Sequence, residues 1–491
     1  MTRLWSGGMS ADYRGSEFSC TGSDVVDACN TRTRQGGRSM STYSRRKFLK
    51  VAAATGLVVA CAPAASPSAS PSGAAPSQAK GLTGTITVSY PDELGVKPKY
   101  VDQAAQAVQT KNSGTTVKVD LQKISDDLYY PKLLLALQSG ADVPDVFHFG
   151  GDSIGELADA GYIEPLDTYV NAWADWSQYP ASIKQGATYK GHVWAIPYGM
   201  DTRWLYFRRD DLQKAGLAAD WMPTKLADVV TAAAAVKSKE ANVLPYALYA
   251  GAAASDGARD HAFVPLVWAY GGDVVTSDGK WVGNSAAIRK ALTYYQTVYT
   301  QGLSPKEILT STKPWTAMRA KLGDGSLALL FEGGWVYGGW ASKDQAGTQK
   351  NVGYILHPTE NGGPSFTIGG LGTCWYITAK SKNKDLAWEF IKTWNNKDTV
   401  AKINIEDPHP VARSDSADVA EFKAQQYLVD STKSLEKAKF LPPDPNLSKI
   451  TTAIQKATGR VANGDSSPDD AAKQYSADLK QAIGAALVIE Q

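Results

Sequence analysis

The chain from residue 85 onward alternates between two patterns of apolar positions. Short runs rich in β-branched residues are followed by longer segments in which apolar residues recur every three or four positions. The first pattern is typical of buried strands and the second of amphipathic helices. The opening of this part predicts strands at 85–90, 116–122 and 143–149 and helices at 100–110 and 129–138.

The same two patterns continue to the C-terminus, with no tandem repeat of solenoid length. They predict helices at 226–238, 286–299, 386–394 and 471–487, and strands at 204–207, 327–331, 352–356 and 374–378. Strands that alternate with helices are typical of α/β folds. Because 491 residues exceed what one hydrophobic core usually organises, we expect an α/β protein with two lobes.

The first 60 residues have the features of an export signal. Arg45 and Arg46 form a twin-arginine pair, and the weakly apolar run 51–60 that follows is too short to span a bilayer of roughly 30 Å. The sequence Val58-Val-Ala-Cys61 resembles a lipobox, in which the cysteine takes a lipid. We expect an N-terminal extension and signal peptide over 1–60, lipidation of Cys61, and a flexible Ala/Pro/Ser tether over 61–83. The structural alternative for Cys61 is a small buried residue.

Charge and cysteine content narrow the function classes. The net charge of +2 is misleading, because residues 1–60 hold nine Lys/Arg against four Asp/Glu and leave 42 against 45 in the rest. This balance gives no reason to expect nucleic acid as a partner. Only Cys374 lies within the expected folded part, so a disulfide framework or a cysteine-rich metal site is not available there. No cofactor is expected.

Four groups of segments occur in the order of motifs known from one protein family. They are Gly140-Ala-Asp-Val-Pro-Asp-Val-Phe-His-Phe149; the segment 193–201 with 205–216; Leu327-Ala-Leu-Leu-Phe-Glu-Gly-Gly-Trp335; and 369–372 with 381–391. Together they resemble the family 1 extracellular solute-binding proteins of ABC importers, the group that contains the maltose-binding protein. The second group departs from the pattern, since Phe207-Arg208 stands where the family has Tyr-Asn and Pro223-Thr224-Lys225 stands where it has Pro-x-Thr-Trp.

The resemblance implies a type II periplasmic-binding-protein fold, in which two α/β lobes are joined by hinge crossover strands. It places the crossovers near Trp204, Ile355 and Pro442. The lobes would then be 84–204 with 355–441, and 205–354 with 442–491. The implied function is that of a monomeric, extracytoplasmic lipoprotein. It would capture a sugar or oligosaccharide by hinge closure and deliver it to the ABC transporter permease in the membrane.

A sugar site needs carboxylates or amides for hydroxyl groups and aromatic planes for C–H faces. The expected ligand contacts are Asp92 or Glu93, Phe149, Asp152, Asp201, His261, Trp268, Glu332, Trp335, Gly370 and Arg413. The resemblance implies most of them, whereas Trp268 and Glu332 are added for their proximity. Gly370 would let backbone amides approach the ligand, and Arg413 would pair with a carboxylate or a ligand oxygen.

Each of these residues also has a structural interpretation. Trp268 lies among apolar residues and fits core packing, Asp152 fits a helix N-cap, and His261 fits a solvated or structural role. Arg413 fits an ion pair within one lobe. Trp335 is the strongest candidate for ligand contact, because an aromatic ring on a glycine-rich turn suits stacking.

Three other function classes remain open at this point. A secreted glycosidase also uses paired carboxylates and tryptophans, although the chain has no short hydrolase motif and no P-loop. A binding protein for glycerol phosphate, a polyamine or an oligopeptide is the second class, and a sensory or adhesion lipoprotein is the third. Thirteen tryptophans after residue 60 favour carbohydrate, while aromatic rings also line polyamine sites. Because of the family resemblance and the lack of a short hydrolase motif, we expect a binding protein and not an enzyme.

Overall fold

The computed structural model describes residues 81–491 except Leu94 and Ala219. The expected signal peptide, Cys61 and nearly all of the tether lie outside the described residues. The strands are β1 Gly84–Pro91, β2 Thr115–Gln122, β3 Val146–Phe149, β4 Thr188–Tyr189, β5 His192–Val193, β6 Ile196–Asp201, β7 Arg203–Arg208, β8 Leu244–Ala247, β9 Trp281–Asn284, β10 Leu327–Gly333, β11 Val352–Ile355, β12 Thr367–Ile377, β13 Ala438–Phe440 and β14 Val488–Glu490.

Helices surround these strands along the whole described part. They are α1 Pro98–Lys111, α2 Asp126–Ser139, α3 Ile154–Asp159, α4 Asp167–Asn171, α5 Ala181–Gly186, α6 Arg209–Lys214, α7 Leu226–Lys239, α8 Val264–Ala269, α9 Ala286–Thr300, α10 Pro314–Asp324, α11 Val336–Ala341, α12 Gln345–Asn351, α13 Lys384–Trp394, α14 Lys397–Glu406, α15 Ala420–Lys423, α16 Gln426–Ser434, α17 Leu447–Asn463 and α18 Pro468–Ile483. Among them, no helix is both long and apolar enough to cross a membrane.

Two larger sheets organise the described part of the chain, beside two small sheets formed by β4 with β5 and by β9 with β14. The six-stranded sheet has the order β13-β12-β3-β1-β2, and β6 also pairs with β12. Within it β1 is parallel to β2 and β3, whereas β12 is antiparallel to β3 and β6. The four-stranded sheet has the order β11-β7-β10-β8, with β7 antiparallel to both neighbours and β10 parallel to β8. This mixture of parallel and antiparallel pairs confirms the predicted α/β class.

The chain changes from one sheet to the other at short connections. Only Thr202 separates β6 of the first sheet from β7 of the second, and residues 356–366 lead back from β11 to β12. After β13 the chain leaves the first sheet and forms α17, which packs on α9 and α18. The described residues belong to a single compact unit.

All thirteen segments predicted from periodicity overlap an element of the predicted type, and two of them differ clearly at their ends. Strand β12 begins at Thr367, seven residues before the predicted start, because three glycines between 369 and 372 dilute its apolar pattern. The last helix ends at Ile483 because Gly484 has a φ of +96°. Strand β10 is buried at all seven positions, as expected for an inner strand covered on both faces.

Candidate functional site

A cavity of about 560 Å³ lies between the two sheets. One wall comes from the segments that follow β1, β3 and β6 and from the glycine-rich start of β12, and the other comes from residues between Tyr249 and Trp335. We call these the first wall and the second wall. The volume falls within the range of roughly 300–1,000 Å³ that is usual for small-molecule sites. Among the described residues, no group of His, Cys, Asp and Glu side chains is arranged to hold a metal ion.

Most of the residues singled out in the sequence lie on this cavity. The side chains or backbone that line it include Asp92, Glu93, Phe149, Asp152, Asp201, His261, Trp335 and Gly370. Residues as far apart in sequence as Asp201 and Trp335 therefore share one crevice. Their contact with a ligand stays a prediction.

Three residues from the predicted set do not line the cavity. Trp268 is 6% exposed and packs edge-on against Phe366, in agreement with its structural interpretation. Glu332 is fully buried behind the second wall. Arg413 is also buried and pairs with Asp175 and Asp415, so two carboxylates satisfy the guanidinium away from the cavity.

The second wall holds a buried ion-pair network on a π-helical turn, Arg259–Phe263. The guanidinium of Arg259 donates two hydrogen bonds of 2.7 Å to the Asp260 carboxylate and one of 2.6 Å to Thr451 Oγ1. Its Nη2 also lies 3.5 Å from Asp152 Oδ2, on the first wall. Arg203 at the start of β7 extends the network, since its Nη2 is 3.7 Å from Asp260 and 3.4 Å from Asp201.

The two carboxylates next to Arg259 have opposite electrostatic environments. Burial raises the pKa of Asp152 to about 6, with Arg259 opposing the shift and Asp260 adding to it. Just over half of the Asp152 side chain, 54%, is nevertheless accessible, because the cavity itself is open to water. Burial would also raise the pKa of Asp260, but the paired Arg259 outweighs it and lowers that pKa to about 2. Of these two carboxylates, Asp152 is therefore the one that is more accessible to a ligand.

Glycines of β12 make room for Asp201 at the end of β6. A Cβ atom built on Gly372 would lie 2.1 Å from Asp201 Oδ1, and one on Gly370 would lie 3.3 Å from the Asp201 side chain. Gly370, which was expected to let backbone amides approach the ligand, lines the cavity and borders this carboxylate, and its contact with a ligand stays a prediction. Gly372 was missed, although the sequence Gly369-Gly-Leu-Gly372 carried the signal.

Trp335 is surrounded by cationic and aromatic groups. The guanidinium carbons of Arg203 and Arg319 lie 5.6 Å and 5.9 Å from its ring centroid. His409 stacks on the ring at 5.8 Å with an interplanar angle of 17°, and His261 lies at 6.0 Å. These contacts orient a partly exposed indole ring in the cavity, where it can stack on a ligand.

A second aromatic surface belongs to the first wall. Phe149, which ends β3, stacks on Tyr130 of α2 with the ring centroids 4.3 Å apart and an interplanar angle of 8°. The Tyr130 hydroxyl in turn donates a hydrogen bond of 3.0 Å to Glu156 Oε2. The cavity thus has an aromatic ring on each wall. Sequence reasoning missed other lining residues that stand outside the family motifs, namely Arg203, Arg259, Asp260, Trp315, Arg319 and His409.

Comparison with known proteins gives a family match over most of the described chain. A family model described as "Bacterial extracellular solute-binding protein" matches residues 95–401. Among curated proteins, the maltotriose-binding protein of Pyrococcus abyssi is 20% identical over 336 residues, covering 67% of this chain and 68% of that protein.

Solved structures of similar fold cover the same region. The GacH receptor of Streptomyces glaucescens, described unliganded and with acarbose, is 20% identical with a TM-score of 0.69, over 82% of this chain and 99% of that one. A solute-binding protein of an ABC transporter from Thermotoga lettingae, bound with α-D-tagatose, is 22% identical with a TM-score of 0.70. The match covers 82% of this chain and 100% of that protein's chain. At these identities the likeness establishes the fold.

Proposed function

The chain belongs to the bacterial extracellular solute-binding protein family and has its two-lobe α/β fold, and we propose that it captures a sugar or oligosaccharide for an ABC importer. The observation that carries the proposal is the cavity of about 560 Å³ with carboxylates and an aromatic ring on each wall. The family and the similar structures are binding proteins. Catalysis is therefore no part of the proposed function.

The chemistry of the two walls suits a neutral saccharide. The carboxylates of Asp152 and Asp201 can accept hydrogen bonds from sugar hydroxyls, and the rings of Phe149 and Trp335 can cover apolar C–H faces. A relative named for maltotriose and proteins of the same fold in complex with acarbose and with α-D-tagatose support a saccharide over glycerol phosphate or a polyamine.

Capture would work by closure of two lobes, 84–204 with 355–441 and 205–354 with 442–491. A ligand that contacts both walls makes all its contacts only when the lobes are closed, so binding shifts the equilibrium toward that state. The single residue Thr202 between β6 and β7 makes this connection a suitable hinge. Asp152 and Arg259, 3.5 Å apart on opposite walls, would separate on opening.

The family acts outside the cytoplasm, and we propose that this chain is held at the membrane as a monomer by a lipid on Cys61. The twin-arginine pair, the lipobox-like sequence and the tether support this anchor. Cells fed a labelled fatty acid should label the wild-type protein but not Cys61→Ser. Equal labelling of the two would refute the anchor.

A thermal-shift screen tests the ligand class. A ligand that binds only the folded state raises the apparent melting temperature. We expect a rise with at least one of maltose, maltotriose, mannobiose and α-D-tagatose, accompanied by a change in tryptophan fluorescence. A rise with glycerol 3-phosphate or spermidine alone would contradict the proposal. Recovery of the intact oligosaccharide after long incubation separates binding from glycosidase activity, which would release shorter products.

A further inference from the structure

Glu332 forms a buried anchor behind the second wall. It is the penultimate residue of β10 and is 0% exposed. Its Oε2 accepts hydrogen bonds of 2.9 Å from both Arg319 Nε and the Tyr249 hydroxyl, and its Oε1 accepts bonds of 3.1 Å from Arg319 Nη2 and 2.7 Å from the Gly333 amide. Although burial alone would raise it, the paired Arg319 guanidinium holds the pKa of Glu332 far below its usual range. Glu332 is therefore a fixed anion.

The position of Glu332 constrains the proton on His261. Nδ1 of His261 lies 2.7 Å from Glu332 Oε1, although the ring is not aligned for a straight hydrogen bond. Two lone pairs would repel each other at this distance, so the proton belongs on Nδ1. In the neutral ring the other nitrogen, Nε2, is then a hydrogen-bond acceptor. Nε2 makes no hydrogen bond to another described residue, and the ring lines the cavity.

The same carboxylate supports the surroundings of Trp335. Arg319, which Glu332 holds through two hydrogen bonds, lies 5.9 Å from the Trp335 ring, and His261 lies 6.0 Å from it. Tyr249, the third partner, also lines the cavity. One buried carboxylate thus contacts three lining side chains, without touching the cavity itself.

We infer that Glu332 is a positioning residue of the binding site. Its carboxylate keeps the proton of His261 on Nδ1, presents Nε2 as an acceptor for a ligand hydroxyl, and fixes Arg319 beside Trp335. The part that concerns a ligand hydroxyl rests on the proposed saccharide function. The part that concerns the proton on His261 does not.

The proton can be located in the free protein by long-range ¹H–¹⁵N correlation spectra of the histidine side chains. The spectra would be recorded at a pH about two units above the usual histidine pKa of about 6.5. A spectrum of His261→Gln would identify the signals of His261 among those of the five histidines. We expect a protonated Nδ1 and an unprotonated Nε2 in the wild type. The proton should redistribute between the two nitrogens in Glu332→Gln and return to Nδ1 in Glu332→Asp. A protonated Nε2 in the wild type, or an unchanged spectrum in Glu332→Gln, would overturn the inference.

Calorimetric titration with maltose, maltotriose, mannobiose and α-D-tagatose tests the consequence for binding. Glu332→Gln should weaken the tightest of these complexes by about tenfold or more, with Glu332→Asp intermediate. Glu389→Gln is the matched control. Glu389 is a buried carboxylate of α13 that pairs with Lys111 and Lys392 away from the cavity, so its loss should leave affinity unchanged.

The two proposals fail in distinguishable ways. If no saccharide binds the wild type, the proposed function fails, and the spectra still decide the position of the proton. If the wild type binds and folded Glu332→Gln binds equally well, the positioning role fails alone. Circular dichroism and the melting temperature establish that each variant is folded.

Discussion

The two walls of the cavity hold their charges differently. On the first wall, Asp152 is 54% accessible, and its nearest cation is 3.5 Å away on the other side. On the second wall, Asp260 and Glu332 are buried and each accepts two hydrogen bonds from an arginine. The first wall therefore offers the carboxylate of Asp152 to a guest molecule, whereas the second wall uses its carboxylates to fix other side chains. A cavity rich in acidic residues need not be a strongly anionic site, because part of the charge is neutralised inside the protein.

The largest effect should come from breaking a pair in the second wall. Asp260→Asn leaves Arg259, with a side chain only 5% accessible, without its bidentate partner. Loss of one partner of a buried pair costs about 3–5 kcal/mol, so we expect the free energy of unfolding to fall by that amount in chemical denaturation. Asp152→Asn is the matched change on the first wall and should alter stability by no more than about 1 kcal/mol. Equal losses in the two variants would contradict the contrast between the walls.

Next in size is the effect of removing the aromatic ring of the second wall. Trp335→Ala should weaken saccharide binding by about 2 kcal/mol or more, measured by calorimetry, because a buried aromatic contact of this kind often dominates affinity. Trp268→Phe is the control, since Trp268 packs outside the cavity. Unchanged affinity in Trp335→Ala would exclude the ring as a stacking surface.

A smaller effect is expected where β12 passes Asp201. In Gly372→Ala the new Cβ would lie 2.1 Å from Asp201 Oδ1, so the carboxylate must shift. We expect a loss of about 1–3 kcal/mol in stability together with weaker saccharide binding. Gly339→Ala is the control because nothing lies within 4 Å of its Cβ position. If both alanine variants melt and bind alike, Asp201 has more freedom than its contacts indicate.

The first wall was easier to predict from the sequence than the second. Phe149 and Asp152 end or follow β3, whose apolar pattern was recognised, and Asp201 lies inside a family motif. The partners in the second wall come from distant parts of the chain, as Arg259 and Thr451 do across 192 positions. The local pattern of apolar residues does not show which distant residues will be in contact in the fold. Arg413 shows the same limit, because its partner Asp175 is 238 positions away.

The helices show a related limit. Helix α17 was not predicted, although its buried residues Ile450, Ile454 and Val461 lie at helical spacing; alanines and threonines fill most of its other buried positions. Helix α9, with a buried face of large residues such as Ile288, Leu292 and Tyr295, was predicted almost to its ends. Burial follows position in the fold, and small residues can occupy buried positions without a strong pattern.

The smallest effect is a pH dependence of stability that comes from Asp152 on the first wall. Because the pKa of Asp152 is raised to about 6 in the folded protein, against 3.8 as its ordinary value, the folded state retains the proton longer than the unfolded state as pH rises. As pH rises from about 4 to about 6, the ionisation of Asp152 therefore lowers the free energy of unfolding. The decrease is about 1 kcal/mol after allowance for the exposure of Asp152 to solvent. Asp152→Asn should remove that part of the dependence.

Binding should change in the opposite direction over the same range. The ionised carboxylate is the better acceptor for a ligand hydroxyl, so saccharide affinity should rise as pH increases through about 6. Calorimetric titrations from pH 5 to pH 8 should show the rise in the wild type and a flatter profile in Asp152→Asn. Asp260, with a pKa near 2, stays ionised throughout and contributes nothing to this profile. An identical rise in Asp152→Asn would assign the titration to another group and remove Asp152 from the contacts of the ligand.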